Sequence, residues 1–387
     1  MYPNKTHRLF ISLFFLISGV SYSTLMARIP TIKSQFALND FELGSLLLTL
    51  PICSLLGLPL AGWLISKYSS KTALSFAFGG NAVVLALIGL AQNIPVLVLT
   101  IGLFSFSMRI FSISVNAQAI GLQKSYKNKI IGSFHGLWSL GGILGIGITT
   151  AMVAADVAMP LHFGVVAFLS ITITIFSYKY LLQESSQGAV NKFKLGKPDA
   201  YMLYLGLIVF LGAMCEGAMF DWSGVYFKEI LNVKVFTYGY LVYMSFMTLS
   251  RFASDFIMNH IGLRKYYLMN SLIICTGMAL PAFLPTFFWA ALGFSLVGIG
   301  TAPIVPMTYI LATSNPKYTT SVSISLIATY ALMGMFLGPP LVGFLAHMFD
   351  LRMSFFALSL VGISILPMAI LFFKYKTAHT ASETVQA

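Results

Sequence analysis

The chain has 387 residues, of which 58% are hydrophobic and only 9% charged, with a formal net charge of +12. An ordinary soluble domain carries roughly a quarter charged residues, so a water-covered fold of this length is excluded and most of the surface faces lipid. The mean hydropathy of +0.86 points the same way. Three cysteines, Cys53, Cys215 and Cys275, lie in apolar runs without metal-ligand spacing and read as small packing residues; no cofactor or metal is expected.

The first apolar stretch, 9–29, follows Lys5 and Arg8. It is too long for a signal-peptide core and has no small-x-small cleavage site, so it reads as a retained helix. Further stretches of spanning length run over 41–66, 72–91, 94–121, 130–153, 161–182, 200–226, 236–259, 266–284, 286–312, 319–345 and 352–373. Their apolar residues are continuous and do not alternate, which excludes a β-barrel. The expectation is therefore an all-α membrane protein with twelve transmembrane helices.

Sixteen of the 23 Lys and Arg fall on one set of connections and the tails. Five fall on the other set (Arg28, Lys33, Lys228, Lys234 and Arg352), and Arg109 and Arg251 lie within spans. This asymmetry predicts both termini in the cytoplasm, and it explains the basic charge without nucleic acid. The longest polar connection, 183–199, divides the chain into an N-terminal bundle (1–182) and a C-terminal bundle (200–387) of six helices each. The halves echo one another: Gly141-x-x-x-Gly145 recurs as Gly334-x-x-x-Gly338 at an offset of 193, and Lys67 and His260 share that offset in similar basic turns. Such a duplication predicts two pseudo-symmetric six-helix bundles with a small-molecule site near the midplane between them.

Charge inside a membrane is the next clue, because an ionisable residue at mid-helix costs about 2.5–3.5 kcal/mol to insert. Three acids fall within the spans: Glu216, Asp221 and Asp255. Glu216 is expected to carry a coupling proton, or else to pair with a cation for assembly alone. Asp221, five residues on, is a second proton-coupling candidate or part of an outer gate with Arg28 or Lys33. Arg251 and Asp255 are four apart on one helix, share a face and are expected to pair as a gating or structural bridge. On the fourth span Ser105, Arg109, Ser112 and Asn116 form a polar stripe. Arg109 and Asn116 are candidate substrate ligands, with a structural arginine bonded to helix carbonyls as the other reading. Gln118, on a different face, is a further candidate. Trp138 is a candidate for stacking on a substrate ring, with an interfacial anchor as the other reading; Trp222 is a further candidate, and His135 reads as a structural histidine ahead of a proton relay. There is no Gly-Lys-Ser/Thr phosphate loop and no catalytic constellation, so an enzyme is not expected.

The loop Gly62-Trp-Leu-Ile-Ser-Lys-Tyr-Ser-Ser-Lys71 and its second-half copy, Asp255 to Lys265, resemble the signature loops of the major facilitator superfamily, although the first has lost its acid. The stretches Phe134 to Gly141, Cys215-Glu216-Gly217 with Asp221-Trp222, Gly338 to Gly343, Arg28-Ile29-Pro30 and Asn116-Ala117-Gln118 resemble bacterial permeases near the fucose-permease group. That branch carries an acid where Gln118 stands, so no fourth-helix carboxylate role is expected. Ile146 after Gly145 departs from the antiporter signature of helix five. The resemblance implies a proton-coupled symporter of a small polar solute, sugar-like first, in a bacterial inner membrane. It would work as a monomer by alternating access, with small-molecule substrate, protons and lipid as its partners. The alternatives are an exporter of amphipathic compounds and, in another class, a membrane receptor on the same scaffold.

Overall fold

A computed structural model describes residues 3–123, 125–126, 130–183, 199–315, 317–318 and 320–386; the side chains of 3–4, 66, 131–132, 255, 320–321, 324–325 and 378–386 are outside the description. The expected connection 183–199 therefore falls almost wholly outside the described residues. All regular structure among them is helical. In lipid each backbone amide must be satisfied within its own segment, and a helix does this.

In chain order the helices are α1 (Pro3–Ala27), α2 (Ile29–Gln35), α3 (Asp40–Lys67), α4 (Ser70–Gly89), α5 (Ile94–Gln123), α6 (Ile131–Ala154) and α7 (Met159–Ser177). They are followed by α8 (Ala200–Glu229), α9 (Tyr238–Ile261), α10 (Leu263–Phe283), α11 (Phe287–Thr301), α12 (Ile304–Thr313), α13 (Thr320–Met348) and α14 (Leu351–Gln386). Eleven helical segments among the described residues are long and apolar enough to cross a membrane. Two of these contain a break: Lys5–Gln35 joins α1 to α2 at Arg28, and Phe287–Thr313 joins α11 to α12. The long helix outside that set is α9, which has the length, 24 residues, but carries Arg251, Asp255, Asn259 and His260. Large apolar side chains such as Phe252, Phe76 and Phe168 point outward, as lipid-facing residues do.

Among the described residues the chain clusters into two units, Met1–Leu38 with Leu46–Lys192, and Asn39–Ser45 with Phe193–Ala387. Each is organised around one close pair of helices. In the first unit a Cβ on Gly141 would collide with the Leu16 carbonyl, and one on Gly145 would lie 2.7 Å from the Val20 carbonyl. In the second unit Gly334 abuts the Phe210 carbonyl and Gly338 the Met214 carbonyl. Each pair steps by four residues on both helices, so α1 with α6 and α8 with α13 run parallel, backbone against backbone. Small residues permit this approach where lipid gives no hydrophobic drive for helices to associate.

The α11–α12 break has a local cause. Pro303 has no N–H to donate to the Ile299 carbonyl, and Ser250 of α9 supplies the missing donor at 2.9 Å.

Glycines on α6 divide by environment, and their substitution should divide the same way. Gly141→Leu is expected to destabilise the protein by at least about 2 kcal/mol, since the displaced atoms are backbone. Gly136→Ala and Gly147→Ala, where nothing lies within 4 Å, should be neutral. Thermal unfolding in detergent checks the pattern, and equal effects at all three positions would contradict the packing described.

Candidate functional site

Two polar clusters stand out, one within each unit. In the second unit, Glu216 lies near the midpoint of α8 and Arg251 near the midpoint of α9. Residues Glu216, Phe220, Ser223 and Phe227 form the α8 face toward α9. Phe220 packs edge-on against Tyr240 and Tyr243, and Gly239 lets α9 settle on the Ser223 carbonyl. This contact brings Arg251 Nη2 to 3.3 Å from Glu216 Oε1. The carboxylate side chain is 12% exposed and the arginine 38%, so the pair is reachable from one side while the acid is largely sheltered.

Arg251 thus pairs with an acid on the neighbouring helix. The expected bridge to Asp255 falls on a side chain outside the described residues. Tyr243 is fully buried and lies within electrostatic reach of both Glu216 and Arg251. Its hydroxyl is 3.4 Å from Thr301 Oγ1. Thr301 spends its own proton on the Val297 carbonyl at 2.8 Å, so Tyr243 is the donor of the two. Thr301 is the last residue of α11, immediately before the break. The Glu216–Arg251 pair and the Tyr243–Thr301 contact are thus close enough to feel one another, and the second ends at the interrupted span.

Asp221 lies on the adjacent face of α8, the one formed by Phe210, Met214 and Gly217 against α13. It is 6% exposed, and its Oδ1 has no hydrogen-bond partner among the described residues. Next to it, Trp222 is fully buried and donates Nε1–H to the Pro339 carbonyl at 2.9 Å. Pro339 and Pro340 remove two consecutive amide donors from α13, and the indole ties α8 to that irregular turn.

In the first unit Arg109 of α5 donates from Nε to Ser54 Oγ of α3 at 2.8 Å. Gly57, one turn beyond Ser54, makes room for the arginine: a Cβ there would lie 3.1 Å from Arg109 Cβ. Tyr22 of α1 is within electrostatic reach of Arg109, and its ring centroid is 6.2 Å from that of Trp138 on α6. Arg109, Ser54, Tyr22 and Trp138 thus converge from four helices. Ser105 of the same stripe bonds the Leu50 carbonyl at 2.5 Å, while Asn116 donates to the Ser112 carbonyl of its own helix at 2.7 Å and stays half-buried.

Gln118 is 1% exposed and fully engaged. Its amide donates to Ser70 Oγ at 2.7 Å and to the Leu182 carbonyl at 2.8 Å, and it accepts from the Leu182 amide at 2.8 Å. It bolts α5 to the start of α4 and to the segment beyond α7. Arg28, a candidate with Lys33 for an outer gate, bonds His162 and the Val157 carbonyl within its own unit.

Sequence reasoning missed Tyr22, Ser54, Tyr243 and Thr301. A signal for Tyr243 was present: Tyr240, Tyr243, Met247 and Arg251 recur at one-face spacing on α9. Tyr22 and Ser54 carry no such pattern.

The sequence model of the Major Facilitator Superfamily matches residues 11–334. An uncharacterised MFS-type transporter of Yersinia pestis is 27% identical over 368 residues, covering 94% of this chain and 95% of that protein. A crystal structure of a point mutant of nucleoside transporter NupG superposes with a TM-score of 0.76 at 13% identity, covering 94% of this chain and all of that one. A bacterial homologue of the human lysosomal transporter Spinster, in an inward-facing and occupied conformation, gives 0.75 at 14% identity, with 97% and 98% covered. At that identity the structural likeness speaks for the fold alone, whereas the sequence match spans most of the chain. The chain is a multi-pass membrane transporter, not an enzyme, and it belongs to the Major Facilitator Superfamily.

Proposed function

We propose that this transporter is a proton-coupled symporter of a small polar solute, sugar-like or bearing a sugar ring, and that Glu216 carries the coupling proton. The observation that supports this most is the half-sheltered Glu216–Arg251 pair at 3.3 Å. A proton on Glu216 removes the attraction that holds Arg251, so protonation and the position of α9 become linked. Asp221 is the second acid of the proposal, buried and with an oxygen free to hold a proton.

Substrate contacts are assigned to Arg109, Asn116 and Trp138, joined by Tyr22. An arginine and an amide meet hydroxyl groups, and an indole stacks on the apolar face of a ring. Gln118 and Trp222 act in this reading by fixing helices, Arg251 as the responsive partner of Glu216 and Asp255 as its neighbour in gating. The sugar preference follows from the likeness to the fucose-permease group; the nucleoside named for NupG adds a ribose-bearing class to the panel. The reading treats α9 as a twelfth span and the chain as two six-helix bundles, 1–182 and 200–387, joined by 183–199. Both termini face the cytoplasm of a bacterial cell, the membrane is the inner one, and the working unit is a monomer.

Two measurements test this. Purified protein in proteoliposomes should accumulate at least one compound from a panel of monosaccharides and nucleosides when the outside is made acidic. Glu216→Gln should lose that accumulation while keeping substrate exchange across the membrane. Intact proton-driven accumulation in this variant would remove Glu216 from the coupling role, and uptake confined to amphipathic cations would replace the substrate class. For the compound so identified, Trp138→Ala should weaken half-saturation by about threefold to tenfold, the value of a ring contact, with little change in maximal rate.

A further inference from the structure

Charge in the first unit is one-sided. Its acidic residues are Asp156, just before α7, and Glu184, which lies outside the described residues. At the other end of α7, where α3 finishes and α4 begins, stand Lys67, Lys71 and Lys179. None of these three makes an ion pair among the described residues. Each lies over an aromatic ring instead: Lys67 over Trp63 at 4.7 Å, Lys71 over Tyr178 at 4.4 Å and Lys179 over Tyr180 at 4.9 Å. A ring face attracts an ammonium but brings no counter-charge.

Two of these lysines are fixed to one place. Lys71 is in the first turn of α4, and Lys179 is in the single 3-10 turn Tyr178–Tyr180 that follows α7. The reach of Lys71 to the Tyr178 ring joins the two segments directly. The Gln118 amide joins them again, since it bonds Ser70 Oγ on one side and the Leu182 backbone on the other. Tyr180 is stacked on Phe10 at 4.1 Å, which ties the turn to α1 as well. From here α4 and α7 run antiparallel into the apolar layer, with Gly79 beside Thr174 and Gly89 against Pro160. Their seam is shallow: a Cβ on Gly79 would meet only Thr174, at 4.0 Å, and one on Gly164 would meet nothing within that distance. Phe76 and Val83, a turn to either side of Gly79, are exposed, and so are Phe168 and Ile175, which share a face of α7 with Gly164.

We infer that the seam between α4 and α7 binds one anionic glycerophospholipid, its phosphate held by Lys71 and Lys179 and an acyl chain laid along the groove between Phe76 and Ile175. Positive charge without a carboxylate selects an anionic head group. The apolar groove that begins where the lysines end selects an anion that carries acyl chains. A zwitterionic head group brings an ammonium of its own, which the two lysines repel. Lysine suits this task, because a point charge on a flexible stem can meet a phosphate from either side of the seam. The site shares no residue with the substrate contacts assigned above and does not rest on which solute is carried.

The test uses the full-length protein in detergent, titrated with phosphatidylglycerol or with phosphatidylcholine of the same acyl chains. Phosphatidylglycerol should raise the unfolding temperature by about 4 °C more than phosphatidylcholine, with saturation, as expected for a ligand of the folded state. Native mass spectrometry should show a single retained phosphatidylglycerol. Replacing both seam lysines, Lys71→Gln with Lys179→Gln, should weaken its binding at least about tenfold. Lys265→Gln with Lys374→Gln removes the same charge from exposed positions of the other unit and should leave binding unchanged. Equal protection by the two lipids would overturn the inference, and so would undiminished binding in the seam variant. A loss shared by both double variants would reduce the attraction to net charge, and protection by inorganic phosphate alone would remove the acyl chain; either result also overturns it.

Discussion

A charge placed inside a membrane must be matched, and in this transporter the match is made between two helices by Glu216 and Arg251. Much of the second unit is arranged around that requirement. It accounts for α9 being the least apolar of the long helices, since one of its faces carries Tyr240, Tyr243 and Arg251 toward α8 and α11. It also accounts for the close seating of α9 on α8 at Gly239 and on α11 at Gly298, because an arginine reaches a carboxylate at this distance only if the helix axes are near. The fold here serves to make an ion pair tolerable without hiding it completely.

The first unit solves the same problem with different chemistry on the same frame. Leu16 and Val20 meet the glycines of α6 just as Phe210 and Met214 meet those of α13. Carrying that register forward sets Tyr22 opposite Glu216 in the repeat. Tyr22 has an arginine in reach as well, Arg109, but this arginine rests on a neutral hydroxyl, Ser54. The duplicated scaffold thus holds an acid with its arginine in one copy and a phenol with its arginine in the other. The first is an ion pair between two helices, the second a cation held by a neutral hydroxyl beside an aromatic ring.

What was readable in the sequence follows from which forces act locally. The helices were legible because lipid demands long apolar runs, and the paired glycines were legible because close contact tolerates no side chain. The pairing of Arg251 with Glu216 was not, because it depends on how α8 and α9 pack, which no short-range pattern encodes. Gln118 was misleading for a related reason: an amide within a span looks like a substrate ligand until the backbone of Leu182, remote in sequence, occupies it. The breaks at Arg28 and Pro303 were blurred because the apolar runs continue through them.

Ser250 and Arg251 are neighbours on one rigid helix, and each holds something on a different element. Ser250 supplies the donor that Pro303 cannot, at the carbonyl of Ile299, and Arg251 holds the carboxylate of Glu216. A helix cannot turn at one residue and stay still at the next. The two contacts are therefore held in fixed register by α9. The contact at the Glu216 carboxylate and the contact at the weak point of the interrupted span thus share one stiff rod, and neither can be strained without loading the other.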